Sequence, residues 1–321
     1  MNGILKELYL NGIVPVIKIE DPEQAEPLAE ALVRGGLACA EVTFRTTAAK
    51  EAISRISKSR PDMLLGAGTV LTTAQADEAV EAGARFIVTP GFNPEVVRYC
   101  LDRGYPIVPG INNPSGIEQA LSFGLDTVKF FPAEQSGGIR MIKAMSAPYG
   151  AVKFMPTGGI NAVNLNDYLA FSKILCCGGS WMVDAGLIAK RDFAGIERLV
   201  REAVDTMLGF RLKHVGVNCA SPEDARSCTD ILTSAFSFAA EEKPASTFVG
   251  SGIELMNAPG RGRNGHIAIE TNNVERAVYH LTRRGVRFDS GSEIRDKSGA
   301  LKLVYLAEEI GGFAYHLCEK G

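Results

Sequence analysis

Two short segments place ionisable groups among residues that prefer to leave water: "EVTFRT" (41–46) and "TVKFFPAE" (127–134). In the second, Lys129 stands between Val128 and Phe130–Phe131. An amine must be neutral to attack a carbonyl, and burial among apolar groups disfavours the charged form, so such a lysine suits imine chemistry. Strand alternation puts Glu41, Thr43 and Arg45 on one face, and Lys129 with Phe131 on one face. An acid and an arginine on one inward face, with a lysine from another strand, make a constellation. Taken singly, each has a plainer explanation. A lone lysine near a strand end is ordinarily snorkelling or ion-paired, and a lone buried glutamate is ordinarily satisfied by its neighbours. Their conjunction, with the glycine pairs of "PTGGIN" and "CGGSW" further along, is what points to a catalytic site.

These residues need elements to carry them. Up to about residue 210, short apolar runs recur 20 to 25 residues apart: "VPVIK", "CAEVTF", "MLLGAG", "RFIVTP", "YPIVPG", "TVKFFP", "VKFMPT" and "KILCCGG". Helix signals follow most of them. Asp21-Pro22, Asn93-Pro94 and Asn113-Pro114 each set a capping side chain before a proline fit for a first helical turn. The first such helix shows Ala25, Leu28, Ala29, Leu32 and Val33 on one face and stops at Gly35-Gly36. Eight alternations of buried strand and amphipathic helix predict parallel strands in a (β/α)₈ TIM barrel. An open doubly wound sheet would show a glycine fingerprint after its first strand, and "VIKIEDPEQ" has none. The candidate residues fall at the C-terminal ends of the strands, where barrels of this kind collect their chemistry. The glycine pairs close strands seven and eight, where backbone N–H groups commonly bind phosphate.

Composition narrows the setting. The chain has 321 residues, 46% of them hydrophobic and 22% charged, with a net charge of −3. That length suggests two domains, and the charge leaves no footprint for nucleic acid or membrane. "MNGILKELYLNG" carries Lys6 and Glu7 inside its apolar stretch, so it reads as an amphipathic helix rather than a signal sequence. Seven cysteines, an odd number without metal-like spacing, read as reduced core residues of a cytoplasmic protein.

In order and spacing, "EVTFRT", "GAGTV", "VTPG", "VKFFPAE", "PTGGI" and "GGSW" resemble the KDPG/KHG aldolases of the class I type over roughly residues 1 to 210. The resemblance implies cleavage of 2-dehydro-3-deoxy-6-phosphogluconate or 4-hydroxy-2-oxoglutarate to pyruvate and an aldehyde, in a homotrimeric barrel that uses no metal. It makes Lys129 the Schiff-base lysine and Glu41 the general acid/base. It gives Arg45 and Thr69 the pyruvate carboxylate, and Pro90 and Phe131 the walls of the pocket. Thr157 then lies beside the substrate, while Gly158, Gly159, Gly179 and Ser180 match the phosphate-binding segments. Lys18 offers a further phosphate contact.

After "REAVDTMLGF" the pattern changes, and a second domain is expected over 213–321, following a first over 1–212. "KHVGVNCASPEDARSCTDIL" and "GHIAIETNNVERAVYHLTRRG" each run from a histidine through alternating apolar residues and a cap into an amphipathic helix, then into β-prone stretches. This predicts a smaller α+β domain of paired βαβββ units. It resembles the glyoxalase/vicinal-oxygen-chelate fold, whose metal ligands match His214, Glu254, His266 and His316; a histidine at the last position departs from the usual glutamate. Glu319 falls on the opposite strand face from His316. Such a set suits Zn²⁺, Fe²⁺, Mn²⁺ or Ni²⁺. Two other readings stand beside the lyase: a non-catalytic phosphosugar-binding protein, and a bifunctional enzyme whose second domain is a metal-dependent isomerase or dioxygenase.

Overall fold

The computed structural model describes residues 3–320, which form two compact units divided between Met207 and Leu208. The division falls ahead of the expected one after Leu212. The helix Phe193–Leu208 ends at the division, and Arg211 already opens a strand of the second unit.

The strands of the first unit are β1 (Ile13–Ile17), β2 (Cys39–Thr43), β3 (Leu64–Gly68), β4 (Phe86–Val88), β5 (Ile107–Val108), β6 (Gly110–Ile111), β7 (Thr127–Phe130), β8 (Lys153–Pro156) and β9 (Cys177–Gly179). All pair in parallel, in the orders β5-β4-β3-β2-β1-β9 and β6-β7-β8. β5 and β6 are one run interrupted at Pro109, which has no N–H to give; its carbonyl still accepts from the Lys129 N–H at 2.8 Å. Single bridges, Phe154 to Ile174 and Thr157 to Gly178, carry the ladder from β8 to β9. The architecture is TIM-barrel-like, and nine strand segments fill the eight expected places.

Asn93 and Asn113 cap the helices Pro94–Asp102 and Pro114–Ser122 as the sequence suggests. Asp21 instead caps a 3₁₀ turn, Pro22–Gln24, that leads into the helix Ala25–Gly35, and left-handed Gly36 ends it. A core cluster takes Val14, Cys39, Leu64, Phe86, Val108 and Met155 from six strands. Leu8 of the N-terminal helix Gly3–Asn11 joins it.

The second unit contains β10 (Arg211–Asn218), β11 (Ala240–Glu242), β12 (Ser246–Val249), β13 (Ile253–Met256), β14 (Gly265–Thr271), β15 (Phe288–Arg295), β16 (Leu301–Leu306) and β17 (Phe313–Glu319). They make one eight-stranded sheet, β11-β12-β13-β10-β14-β17-β16-β15. Each half is βαβββ, with its first strand parallel to its fourth, and antiparallel β10 and β14 join the halves. Helices Pro222–Phe236 and Val274–Arg283 supply the crossovers, and His280 of the latter is buried. Six of the seven cysteines are buried and Cys228 is intermediate. Among the described residues no helix is long and apolar enough to cross a membrane.

Candidate functional site

Parallel pairing brings the chemistry of the first unit to one place. Lys129 Nζ donates to Glu41 Oε1 at 3.2 Å across 88 residues of chain. The lysine side chain is 6% exposed and the glutamate 0%. A buried ion pair is poor evidence of stabilisation, because desolvation offsets the attraction. Two orphaned atoms make a functional reading stronger: Glu41 Oε2 and Thr157 Oγ1 are buried with no hydrogen-bond partner. Gly68 makes room for the acid, since a Cβ there would sit 2.0 Å from Glu41 Oε1. Gly178 does the same for Thr157, whose Oγ1 lies 2.3 Å from where its Cβ would be. Phe130 is wholly buried, whereas Phe131 is 36% exposed with its ring centroid 5.5 Å from Lys129 Nζ. Phe131 thus shares the face of Lys129, as strand alternation implies.

Arg45 lies beyond the end of β2 and is exposed. Its Nε donates to Thr43 Oγ1 at 3.1 Å, and that hydroxyl donates to the Ile17 carbonyl at 2.8 Å. Thr43 thus ties the guanidinium to β1. Thr69, next after β3, has φ +56°, a left-handed conformation costly for a β-branched residue and characteristic of functional sites. Pro90 and Phe131 line a cavity of about 360 Å³ that also touches Gly110, Ile111 and Asn112. Lys18 is paired with Glu20 at 2.7 Å.

Packing also constrains the glycine pairs. At Gly179 a Cβ would lie 1.9 Å from Trp181 Cζ3, and at Gly159 one would lie 2.6 Å from Glu134 Cγ. Both positions are filled by the protein itself, so their glycines are demanded by packing first. Gly158 and Gly159 also have φ of +101° and +79°. Ser180 is exposed directly after β9.

The second unit has a cluster of its own. His214 Nε2 and His266 Nε2 are 3.0 Å apart, and each is 3.1 Å from Glu254 Oε2. Ligand bonds of about 2.0–2.2 Å at right angles have edges of about 3 Å, so these three atoms fit one face of a metal's coordination shell. His316 brings a third imidazole, with the three histidine ligand atoms all within 4.8 Å of one another. Its Nδ1 is buried without a partner. Burial, then the neighbouring His266, push its pKa down to about 4, which keeps the ring neutral as a ligand must be. Burial opposes ionisation of Glu254, but hydrogen bonds from His214, His266 and Ser246 outweigh it and hold the carboxyl well below its ordinary range. Ser246 Oγ donates to Glu254 Oε1 at 2.6 Å and so orients the carboxylate. Opposite His266 stands Gly216, where a Cβ would meet the imidazole at 2.1 Å. Glu319 points away to Lys302, as expected.

The model of the KDPG and KHG aldolase family matches residues 4–199. This chain belongs to that family. A 2-dehydro-3-deoxy-phosphogluconate aldolase of Treponema pallidum is 53% identical over 204 residues, 64% of this chain and 97% of that protein. The KHG/KDPG aldolase of Escherichia coli is 43% identical over 198 residues, 62% of this chain and 93% of that one. Among solved structures, the KDPG aldolase of Legionella pneumophila, with pyruvate captured as a covalent carbinolamine, is 39% identical. It aligns with a TM-score of 0.61 over 63% of this chain and 98% of that chain. For an aldolase of this family, the residues that sequence reasoning missed are two that make space, Gly68 and Gly178. Their signal was present, since Gly68 ends β3 and Gly178 lies within β9, but nothing in a one-dimensional pattern says which side chain a glycine faces.

Proposed function

We propose that the first unit is a Schiff-base aldolase that cleaves 2-dehydro-3-deoxy-6-phosphogluconate to pyruvate and glyceraldehyde 3-phosphate, and 4-hydroxy-2-oxoglutarate to pyruvate and glyoxylate. The observation that carries this is the buried 3.2 Å pair of Lys129 and Glu41 beside the unpartnered Glu41 Oε2 and Thr157 Oγ1. Lys129 attacks the C2 carbonyl and loses water to form a protonated imine, which draws electrons from the C3–C4 bond. Glu41 takes the proton of the C4 hydroxyl as that bond breaks, then returns a proton to C3 of the enamine. Hydrolysis of the imine frees pyruvate. Arg45, held by Thr43, and Thr69 take the carboxylate; Pro90 and Phe131 wall the pocket. Gly158, Gly159, Gly179 and Ser180 present backbone N–H groups to the phosphate. Borohydride added with pyruvate should leave a covalent adduct on Lys129, read by peptide mass spectrometry. An adduct on Lys153, whose Nζ is already bonded to the Ser172 carbonyl at 2.8 Å, would sink the assignment. In this reading the protein assembles as a homotrimer, which sedimentation equilibrium tests.

The second unit we read as a glyoxalase/vicinal-oxygen-chelate-like domain that holds a divalent metal with His214, Glu254, His266 and His316. The paired βαβββ order and the 3.0–3.1 Å spacing of three ligand atoms support this. A bound ion would supply Lewis-acid polarisation of a ligand oxygen. Elemental analysis of the purified full-length protein tests it, and a metal-free wild type that also fails to take up added Co²⁺ would overturn it.

A further inference from the structure

Beyond the metal-ligating quartet, the same face of the second sheet carries residues that no role above has used. Antiparallel pairing sets Tyr305 against His316, and Asp289 against Tyr305, so the three form a row leading away from the histidines. The Tyr305 and His316 rings are 4.8 Å apart. Arg261, from the loop between β13 and β14, lays its guanidinium over the same tyrosine ring, with Cζ 4.7 Å from the centroid. Its Nη1 donates to Asp289 Oδ2 at 2.7 Å.

An exposed arginine–aspartate pair alone would mean little. Here stacking on one side and an ion pair on the other hold the guanidinium in place, while its side chain remains 49% exposed. A guanidinium has five N–H donors in a rigid fork, and Asp289 engages Nη1. A pre-positioned fork with donors to spare is suited to an incoming carboxylate or phosphate.

We propose that Arg261 recognises the anionic far end of a small two-ended ligand, a carboxylate or a phosphate, whose near end coordinates a metal held by His214, Glu254, His266 and His316. Tyr305 is the wall between the two ends. This rests on the metal-binding reading of the quartet. The ligand class is the one the aldolase unit handles: both of its proposed substrates carry a 2-oxo acid at one end and a phosphate or second carboxylate at the other.

The test uses the full-length protein loaded with Co²⁺, whose visible absorption reports coordination at the quartet and is blind to imine formation at Lys129. The probes are 2-oxoglutarate, 3-phosphoglycerate and 2-oxopentanoate, the last having the five carbons of the first without its far carboxylate. At least one doubly anionic probe should shift the band at concentrations about 10-fold or more below those needed for 2-oxopentanoate. A response to 2-oxoglutarate alone assigns a carboxylate, and one to 3-phosphoglycerate alone a phosphate. Arg261→Ala should abolish the preference without altering the ligand-free spectrum, and Arg261→Lys should restore part of it. Equal responses to 2-oxoglutarate, 3-phosphoglycerate and 2-oxopentanoate, or a preference that survives Arg261→Ala, would overturn the role of Arg261 and leave the metal site standing. A wild type with no Co²⁺ band would overturn both.

Discussion

Replacing Gly68 by alanine should disable the aldolase without touching either residue proposed to do its chemistry. The added Cβ would lie 2.0 Å from Glu41 Oε1 and 2.6 Å from its Cδ, against an ordinary contact of about 3.4 Å or more. Something must retreat by more than about 1 Å. The backbone resists, because Thr43 pairs with Gly68 in the β2–β3 ladder and the Phe44 N–H donates to the Gly68 carbonyl at 2.7 Å. Gly68 itself lies outside the left-handed region, so alanine adds no backbone strain. The end of the glutamate side chain therefore gives way, and the 3.2 Å bond to Lys129 Nζ goes with it. A displacement of about 1 Å at a reacting group costs about 10²-fold in rate, or ~2.7 kcal/mol of barrier. Pyruvate release coupled to lactate dehydrogenase would measure kcat, borohydride trapping would report on Lys129, and a circular-dichroism melt would report on folding. We expect kcat down about 100-fold, trapping retained and a melt close to wild type. A kcat within about threefold of wild type would refute the claim that the position of Glu41 governs proton transfer. Loss of trapping in a folded variant would show that Gly68 acts on the lysine instead.

The other predictions bear on carboxylate binding, the glycine pairs and the second unit. Thr43→Val removes the acceptor of Arg45 Nε while keeping the side-chain shape, so KM should rise about 10-fold for both substrates with kcat nearly unchanged. An unchanged KM would show that Arg45 needs no such tether. Gly179→Ala should lower the melting temperature and damage cleavage of both substrates alike, because its Cβ meets Trp181. Harm confined to the phosphorylated substrate would mean that anion binding, not packing, demands the glycine. Chelators should leave cleavage unchanged, and His214→Ala with His266→Ala should abolish metal uptake while imine trapping persists. Loss of trapping in that folded double variant would tie the two chemistries together.

Much of this protein is legible in one dimension because its elements answer to local rules. Apolar runs 20 to 25 residues apart, Asn-Pro caps and the halt at Gly36 are properties of neighbouring residues, and they produce the strands and helices wherever the rest of the chain goes. Alternation places Glu41 with Thr43, and His214 and His266 head repeated patterns for the same reason. What only tertiary structure decides is distance between residues far apart in sequence. Glu41 and Lys129 become a 3.2 Å pair because β2 and β7 belong to one parallel array, and His214, Glu254, His266 and His316 converge because two βαβββ halves pair through β10 and β14. The meaning of a glycine is settled there too. Gly68 faces a carboxylate, Gly179 an indole and Gly216 an imidazole, and the absent side chain carries no record in the sequence of which neighbour needed the space.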